Sequence, residues 1–334
     1  MPADHDREPQ ASGAAPLFIV LNAGSGHQDS DGTCSTIESV LGAAGRSYEI
    51  FRVETPSALA DVAARAVTAA RAAGGLVVAV GGDGTLNTVA QATLGSGCGF
   101  GVIPRGTFNF FGRTHGIASD TEAATRSLLA GRLRPVQVGC INDRIFLVNA
   151  SLGLYPQIFE DREELKRRHG RSRLVAVWAA LVTLWRGVRP LRIEIEHGDV
   201  RRRLRASTLF IGNNRLQLEQ LGLPEAAALE DGMLGVVVVR ALPVLALLWL
   251  MVKGALGQLR EAAGIEHFAL SELSVRPARG TPRRLVKVAT DGEVARMRPP
   301  LRIRVAAEPL WLWHPSDAAP EQAREDAAAP SPEV

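Results

Sequence analysis

Cysteine is scarce in this chain. Cys34, Cys98 and Cys140 are odd in number and lack metal-site spacing, so neither a disulfide framework nor a zinc cluster is expected. They read as reduced and buried, as suits a cytoplasmic protein. A targeting leader is not expected either, because Met1 to Ala15 is polar and carries Asp4, Asp6 and Glu8. No apolar run is long enough to cross a bilayer. The most apolar, Ala241 to Val252, has 12 residues, whereas a helix crossing a core of roughly 30 Å needs about 20. A buried helix is the expected reading of that run, and a segment lying at a lipid interface is the alternative. Charge of one sign is also lacking: 38 Lys and Arg stand against 35 Asp and Glu, a net +3. That excludes a general nucleic-acid binder, although arginine far outnumbers lysine and is clustered. With 46% hydrophobic and 22% charged residues over 334 positions, the composition is globular and the length suits two domains.

What is present is a set of glycine-rich loops after apolar strands. Leu76 to Val80 runs into Gly81, Gly82, Asp83, Gly84 and Thr85, after which Leu86, Val89 and Ala90 fall at helical spacing. Without Cβ atoms such a loop lets backbone N–H groups approach an oxyanion, and the following helix adds the positive end of its dipole. Asp83 among phosphate-binding amides makes sense where a cation sits between the negative charges or a hydroxyl proton is taken. The loop lacks the Lys-Ser/Thr ending of a Walker A motif and does not fit G-x-G-x-x-G. Two further loops share its setting. Leu17 to Leu21 ends in Asn22-Ala-Gly-Ser-Gly26, and Phe100 to Ile103 runs into Pro104-Arg-Gly-Thr-Phe-Asn109.

Helices are expected between these strands. One spans Cys34 to Leu41. Another opens with Thr55 as N-cap and Pro56 at the first helical position, burying Leu59, Val62, Ala63, Ala66, Val67 and Ala70. Ser119 to Glu122 has capping-box spacing and opens a helix ending at Gly131. Alternating strands and helices imply a parallel, doubly wound sheet over residues 16–134, with the three loops together at the carboxyl ends of the strands. From residue 135 to 314 short strands follow one another, several alternating apolar with charged, which reads as an antiparallel β-sandwich-like domain. In Leu191 to Glu196 the apolar residues face inward and Arg192, Glu194 and Glu196 outward; these and the charges of Val200 to Arg205 are expected to pair across strands on a solvated face, with a ligand site as the alternative. A helical insert is expected over Gln157 to Val188. Its charges and its Trp178, Leu181, Val182 and Trp185 stripe read as a soluble helix with a core face, or as a surface that settles on anionic lipid. Residues 1–15 and 315–334 read as disordered tails.

Gly81-Gly-Asp-Gly-Thr-Leu-Asn87, Pro104-Arg-Gly-Thr-Phe-Asn109, Leu229-Glu-Asp-Gly-Met-Leu234 and Asp291-Gly-Glu293, in that order, resemble the motifs of the diacylglycerol kinase catalytic-domain family, which includes sphingosine kinases and soluble bacterial lipid kinases. The resemblance implies a nucleotide domain, an antiparallel domain for the acceptor lipid, and a last strand that can return to the first domain. It also implies ATP held by Asn22, Gly26, Thr55, Gly81, Gly82, Asp83, Gly84, Thr85, Leu86, Asn87, Thr107 and Asn109. Glu293 falls at the place of the catalytic base, with Asp83 as the metal- or phosphate-side carboxylate. Asp231, with the carbonyls of Ala228 and Met233, falls where soluble bacterial members hold a structural Mg²⁺. The partner implied is a membrane lipid, approached by peripheral contact with the inner face of the membrane and without nucleic acid; the sequence does not set an oligomeric state.

The chain departs from the family pattern at Thr88, where Glu is common, at Phe110, where an acid follows the Asn, and at Gln137, where Asp is common. Three functions therefore stand side by side: an ATP-dependent lipid kinase, a catalytically weak or silent lipid- and nucleotide-binding member of the same family, and a kinase of a soluble acceptor, close to NAD kinases. Without its company, Asp291-Gly-Glu293 would read as a hairpin turn with Gly292 at positive φ, and Leu229-Glu-Asp-Gly232 as a turn before a strand.

Overall fold

The computed structural model describes residues 14–23, 30–153, 190–198, 200–260, 262–278 and 285–315. The expectations placed on Gly26, on residues 157–188 and on most of the two tails lie outside them. The chain forms two compact units, Met1–Val138 with Ala307–Glu333, and Gly139–Ala306.

The first unit is a six-stranded sheet with helices. In chain order it contains β1 (Leu17–Asn22), α1 (Ser30–Ala43), β2 (Tyr48–Val53), α2 (Leu59–Ala73), β3 (Leu76–Gly81), α3 (Asp83–Thr93), β4 (Gly99–Pro104), α4 (Phe110–Thr114), α5 (Thr121–Ser127), β5 (Gly131–Val136) and the last strand, β17 (Leu310–Pro315). The strand order is β2-β1-β3-β4-β17-β5. β2, β1, β3 and β4 are parallel neighbours, whereas β17 runs antiparallel to β5. β3 and β4 are buried at every residue. A parallel sheet covered on both faces demands this, and it is why these strands read as unbroken apolar runs. The six apolar residues expected on the inner face of α2 are all buried, and the helix stops at Gly74, whose φ of 61° is left-handed.

Two helix boundaries differ from expectation. Thr55 is extended but makes no side-chain cap; Pro56–Ala58 forms a single 3₁₀ turn instead, and α2 starts after it. The helix expected from Ser119 to Gly131 is capped by Asp120, whose carboxylate accepts the Ala123 N–H at 2.8 Å, and it ends at Ser127. Gly131 opens β5 rather than closing a helix. A Cβ there would lie 2.5 Å from the His314 carbonyl oxygen and 2.6 Å from Trp313 Nε1, so glycine is required by the close approach of β17.

The second unit is antiparallel throughout. Its strands are β6 (Gly139–Ile141), β7 (Arg144–Phe146), β8 (Asn149–Gly153), β9 (Leu191–His197), β10 (Val200–Gly212), β11 (Leu234–Arg240), β12 (Ile265–Leu270), β13 (Glu272–Pro277), β14 (Val286–Thr290), β15 (Glu293–Met297) and β16 (Leu301–Val305). β10 joins the two ends of the sheet. Its first half pairs with β9 and, after an irregularity between Ala206 and Thr208, its second half pairs with β8 and β11. Residues from both halves, among them Ile195, Leu273 and Ile303 with Leu152, Leu209 and Val288, share one buried cluster. The sheet therefore folds over on itself around a single apolar core. On the outer face of β9, Glu194 is bridged by Arg201 at 2.7 Å and Arg203 at 3.0 Å, as the alternation predicts.

Among the described residues two α-helices accompany these strands, α6 (Arg215–Gln220) and α7 (Val244–Ala255). α7 corrects the reading of Ala241 to Val252 as a buried helix. Leu247 and Leu250 are buried, but Leu245 is 80% exposed, Trp249 61% and Val252 48%. One side of the helix packs, and the other is apolar and exposed among the described residues.

Candidate nucleotide and acid sites

In the first unit the loops after β3 and β4, and Asn22 at the end of β1, lie at the carboxyl ends of their strands and are tied together. Gly81 pairs with Pro104 in register, and the Arg105 N–H donates to the Gly81 carbonyl at 2.8 Å. Asn22 Nδ2 donates to Thr85 Oγ1 at 2.9 Å, fastening the end of β1 to the first turn of α3. A Cβ on Gly106 would lie 2.8 Å from Asn109 Oδ1 and 3.0 Å from Gly82 Cα, so two loop backbones touch where a side chain would separate them. Asn109 adopts a left-handed φ of 47° and its Oδ1 accepts the Gly106 N–H at 2.7 Å, which closes the second loop on itself.

α3 begins at Asp83 with no side-chain cap. Its intrahelical ladder starts with the Leu86 N–H donating to the Gly82 carbonyl at 3.0 Å. The amides of Asp83, Gly84 and Thr85 thus precede the ladder, as the donors that bind oxyanions do. Leu86 itself is core, fully buried, so only its backbone belongs to the loop. Thr88 donates its hydroxyl to the Gly84 carbonyl at 3.0 Å. Thr55 and Thr107 are exposed at the ends of their strands.

Asp83 has the most strained electrostatics of this set. Burial raises its carboxyl above the usual range, and the backbone amides of Phe111, Phe110 and Asn109 oppose the shift. Its Oδ1 is buried with no hydrogen-bond partner among the described residues. An orphaned carboxylate oxygen beside helix N-terminal amides fits a divalent cation held mainly by phosphate oxygens and water, with one protein carboxylate. Arg105, which the sequence analysis did not single out, sits in the same loops and reaches Thr33 of α1 with its guanidinium. Its signal was its place as the one cation within the Pro104 to Asn109 loop.

The second unit holds the acid hairpin. β14 and β15 pair with Thr290 opposite Glu293, leaving Asp291 and Gly292 as a two-residue turn with φ of 48° and 88°. Two positive φ values are the signature of a type I′ hairpin. Asp291 also does more than turn the chain. Its carboxylate accepts the amides of Leu147 at 2.7 Å, Val148 at 2.9 Å and Asn149 at 2.9 Å. This clamp was missed because its donors lie more than 140 residues away in sequence. It fixes the hairpin that presents Glu293. The Glu293 carboxyl is held above its usual range by desolvation, with the Arg144 charge pulling it back, although more than a third of the residue remains accessible.

The third expected group also meets in the second unit. A 3₁₀ turn at Pro224–Asp231 brings Ala228, Asp231 and Met233 together, the Met233 N–H donating to the Ala228 carbonyl at 3.2 Å. Neighbouring Glu230 is paired with Arg215. Among the described residues no cluster of three or more His, Cys, Asp or Glu side chains is placed to hold a metal. An ion at this turn would therefore rest on one carboxylate, backbone carbonyls and water.

Residues 16–141 match the model of the diacylglycerol kinase catalytic domain, and residues 157–313 match that of the YegS C-terminal NAD kinase beta sandwich-like domain. The chain belongs to the diacylglycerol kinase catalytic domain family. It is 32% identical over 163 residues to a Klebsiella pneumoniae (strain 342) protein described as "Probable lipid kinase YegS-like", covering 47% of this chain and 54% of that one. It is 33% identical over 126 residues to the diacylglycerol kinase of Bacillus subtilis (strain 168), covering 36% and 41%. These alignments thus span about half the length of the curated relatives or less. A crystal structure of a diacylglycerol kinase from Bacillus anthracis str. Sterne superposes with a TM-score of 0.68 at 20% identity, covering 91% of this chain and 98% of that one. At that identity the likeness establishes the fold. The family names indicate a kinase, and kinase chemistry implies ATP.

Proposed function

We propose that the protein is an ATP-dependent lipid kinase, transferring the γ-phosphate to a hydroxyl of a diacylglycerol-like or sphingoid acceptor. The observation that carries this reading is the orphaned, buried Oδ1 of Asp83 among joined strand-end loops. The amides of Asp83, Gly84 and Thr85 cradle phosphate oxygens, and Asn22 holds Thr85 in position for them. Magnesium, held by Asp83 Oδ1, would offset the charge of the β- and γ-phosphates. Glu293 takes the proton from the acceptor hydroxyl as its oxygen bonds to the γ-phosphorus and the bond to the ADP-side oxygen breaks. A carboxyl raised above its usual range is better matched to this task near neutral pH than an ordinary glutamate. Asp291 is a positioning residue, holding the hairpin through three amides. Ion binding at Asp231 would stiffen the turn before β11 and stand apart from the transfer step.

The acceptor lies in a membrane in this reading, and the protein reaches it by peripheral contact; among the described residues no helix is long and apolar enough to span a bilayer. The test is labelled Mg·ATP with total cellular lipid extract, run with wild type, Asp83→Ala and Glu293→Gln. One labelled lipid made by wild type and lost in both variants is expected. Transfer to NAD without lipid would replace the reading with a soluble-acceptor kinase. Tight ATP binding with no transfer to any lipid would leave a silent member of the family, the outcome that the Thr88 and Phe110 departures favour.

A further inference from the structure

α7 carries an apolar face that none of the described residues covers. Leu245, Trp249 and Val252, with Leu256 just past the helix end, are spaced by four, three and four residues and therefore share one side. Their exposures are 80%, 61%, 48% and 63%. The opposite side, through Leu247 and Leu250, packs against Ala262, Leu259 and Ile265. A helix apolar all round is normally buried, so an exposed half of this composition marks a contact surface.

The surrounding charge says what kind of surface it meets. From Ala241 to Arg260 there is no Asp or Glu, and the charged residues are Lys253 and Arg260. α7 springs from the edge where β10 meets β11: Ala206 pairs with Arg240, and the Ala241 N–H donates to the Arg205 carbonyl at 3.0 Å. Arg205 and Arg240 both lie at the foot of the helix but on opposite faces of the sheet, because Arg240 shares a face with its partner Ala206. Arg240 is paired with Glu266 at 2.8 Å, which Arg202 also engages at 3.0 Å, whereas α7 packs on the side of Val239 and Ile265, the side of Arg205. Arg205, Lys253 and Arg260, with Glu261 next to Arg260 in sequence, leave a cationic surplus around a Trp- and Leu-bearing stripe, which suits an anionic surface. They do not suit a second copy, because an isologous contact would press the same cationic rim onto itself.

We propose that the Leu245, Trp249, Val252 and Leu256 face of α7 inserts into the interfacial layer of an anionic phospholipid bilayer, with Arg205, Lys253 and Arg260 meeting head-group phosphates. The apolar side chains supply the burial that drives partition, Trp249 suits the boundary between chains and head groups, and the long cationic side chains reach back to the phosphates. None of these residues belongs to the nucleotide loops or to the acid hairpin, so the proposal stands whatever the acceptor proves to be.

The test is co-sedimentation with vesicles of phosphatidylcholine alone or with phosphatidylglycerol added, run without ATP so that failure of the kinase reading does not affect the result. Wild type is expected to partition onto the anionic vesicles. Leu245→Glu with Trp249→Glu should lower that partition by about tenfold or more, while Trp249→Phe retains it. Arg205→Ala with Lys253→Ala should lower it by about tenfold on anionic vesicles and leave neutral vesicles unchanged. All of these positions except Lys253 are exposed, and an unchanged thermal melt confirms that the variants fold. Equal partition of wild type and the double-Glu variant would overturn the proposal, whether a second copy or another segment of the chain covers the face. So would wild type that ignores anionic vesicles, or that sediments as a dimer which the double-Glu variant dissociates with vesicle binding unchanged.

Discussion

The two units solve the problem of placing polar groups in opposite ways. In the first, β3 and β4 are buried on both faces, so polar chemistry is expelled to the strand ends and carried by contiguous stretches such as Gly81 to Thr85. In the second, the antiparallel sheet admits polar groups at turns inside its own frame, and the functional unit is assembled from distant stretches: Asp291 with the amides of Leu147 to Asn149. A loop that binds phosphate is written locally. A clamp that holds an acid in place is written only in three dimensions.

This contrast can be broken by mutation, and the largest effect belongs to the acid hairpin. Glu293→Gln should lower the rate of phosphoryl transfer by about 10²–10⁴-fold with ATP binding unchanged, read by single-turnover kinetics. Asp291→Ala leaves three buried amides without an acceptor and should cost about 3–5 kcal/mol of stability, read by urea denaturation. Asp291→Asn, which keeps an acceptor oxygen, should recover part of it. In the first unit Gly106→Ala should raise the KM for ATP by about tenfold while the melting temperature moves little, because its Cβ would press on the Gly82 backbone and on the Asn109 side chain that closes the loop.

Smaller effects come from pH. His115, packed edge-on to Phe111 with ring centroids 4.7 Å apart, is pushed down to about 4 by burial, with the nearby His314 adding to the shift. Its unfolded form protonates near 6.5, so between these values the unfolded chain binds more protons, and stability falls as pH drops from about 6.5 to about 4. His115→Phe should flatten that part of the melting-temperature profile. Asp83 has the opposite sign. Its folded carboxyl is raised, so its burial disfavours folding as pH rises above the unfolded value, and Asp83→Asn should melt no lower than wild type at pH 7 while transferring no phosphate.

Much of the first unit was legible because its constraints are local. β1, β3 and β4 are continuous apolar runs, and the inner face of α2 follows a helical period. Gly131 was misread as a helix stop because its reason is the approach of Trp313 and His314, which no local pattern reports. In the second unit β12 carries little sequence signal, since Ile265-Glu-His-Phe-Ala-Leu270 is half-exposed over most of its length and has no clean alternation. β15 carries little signal as well, because it is short and holds Glu293 and Arg296. α7 was read as buried from composition alone, whereas only one of its faces finds a partner. Asp291 was visible as part of a turn, but not as the acceptor of three distant amides.

The central claim is that Asp83 serves a cation between protein and nucleotide phosphates. Calorimetric titration of ATP into wild type and Asp83→Ala, with magnesium and again with EDTA, tests it most directly. Wild type is expected to bind ATP more tightly with magnesium. The variant should bind about tenfold more weakly than wild type with magnesium, and as tightly or more tightly with EDTA, because a carboxylate facing phosphates without a cation only repels them. Equal affinities of the two proteins under both conditions would contradict the account.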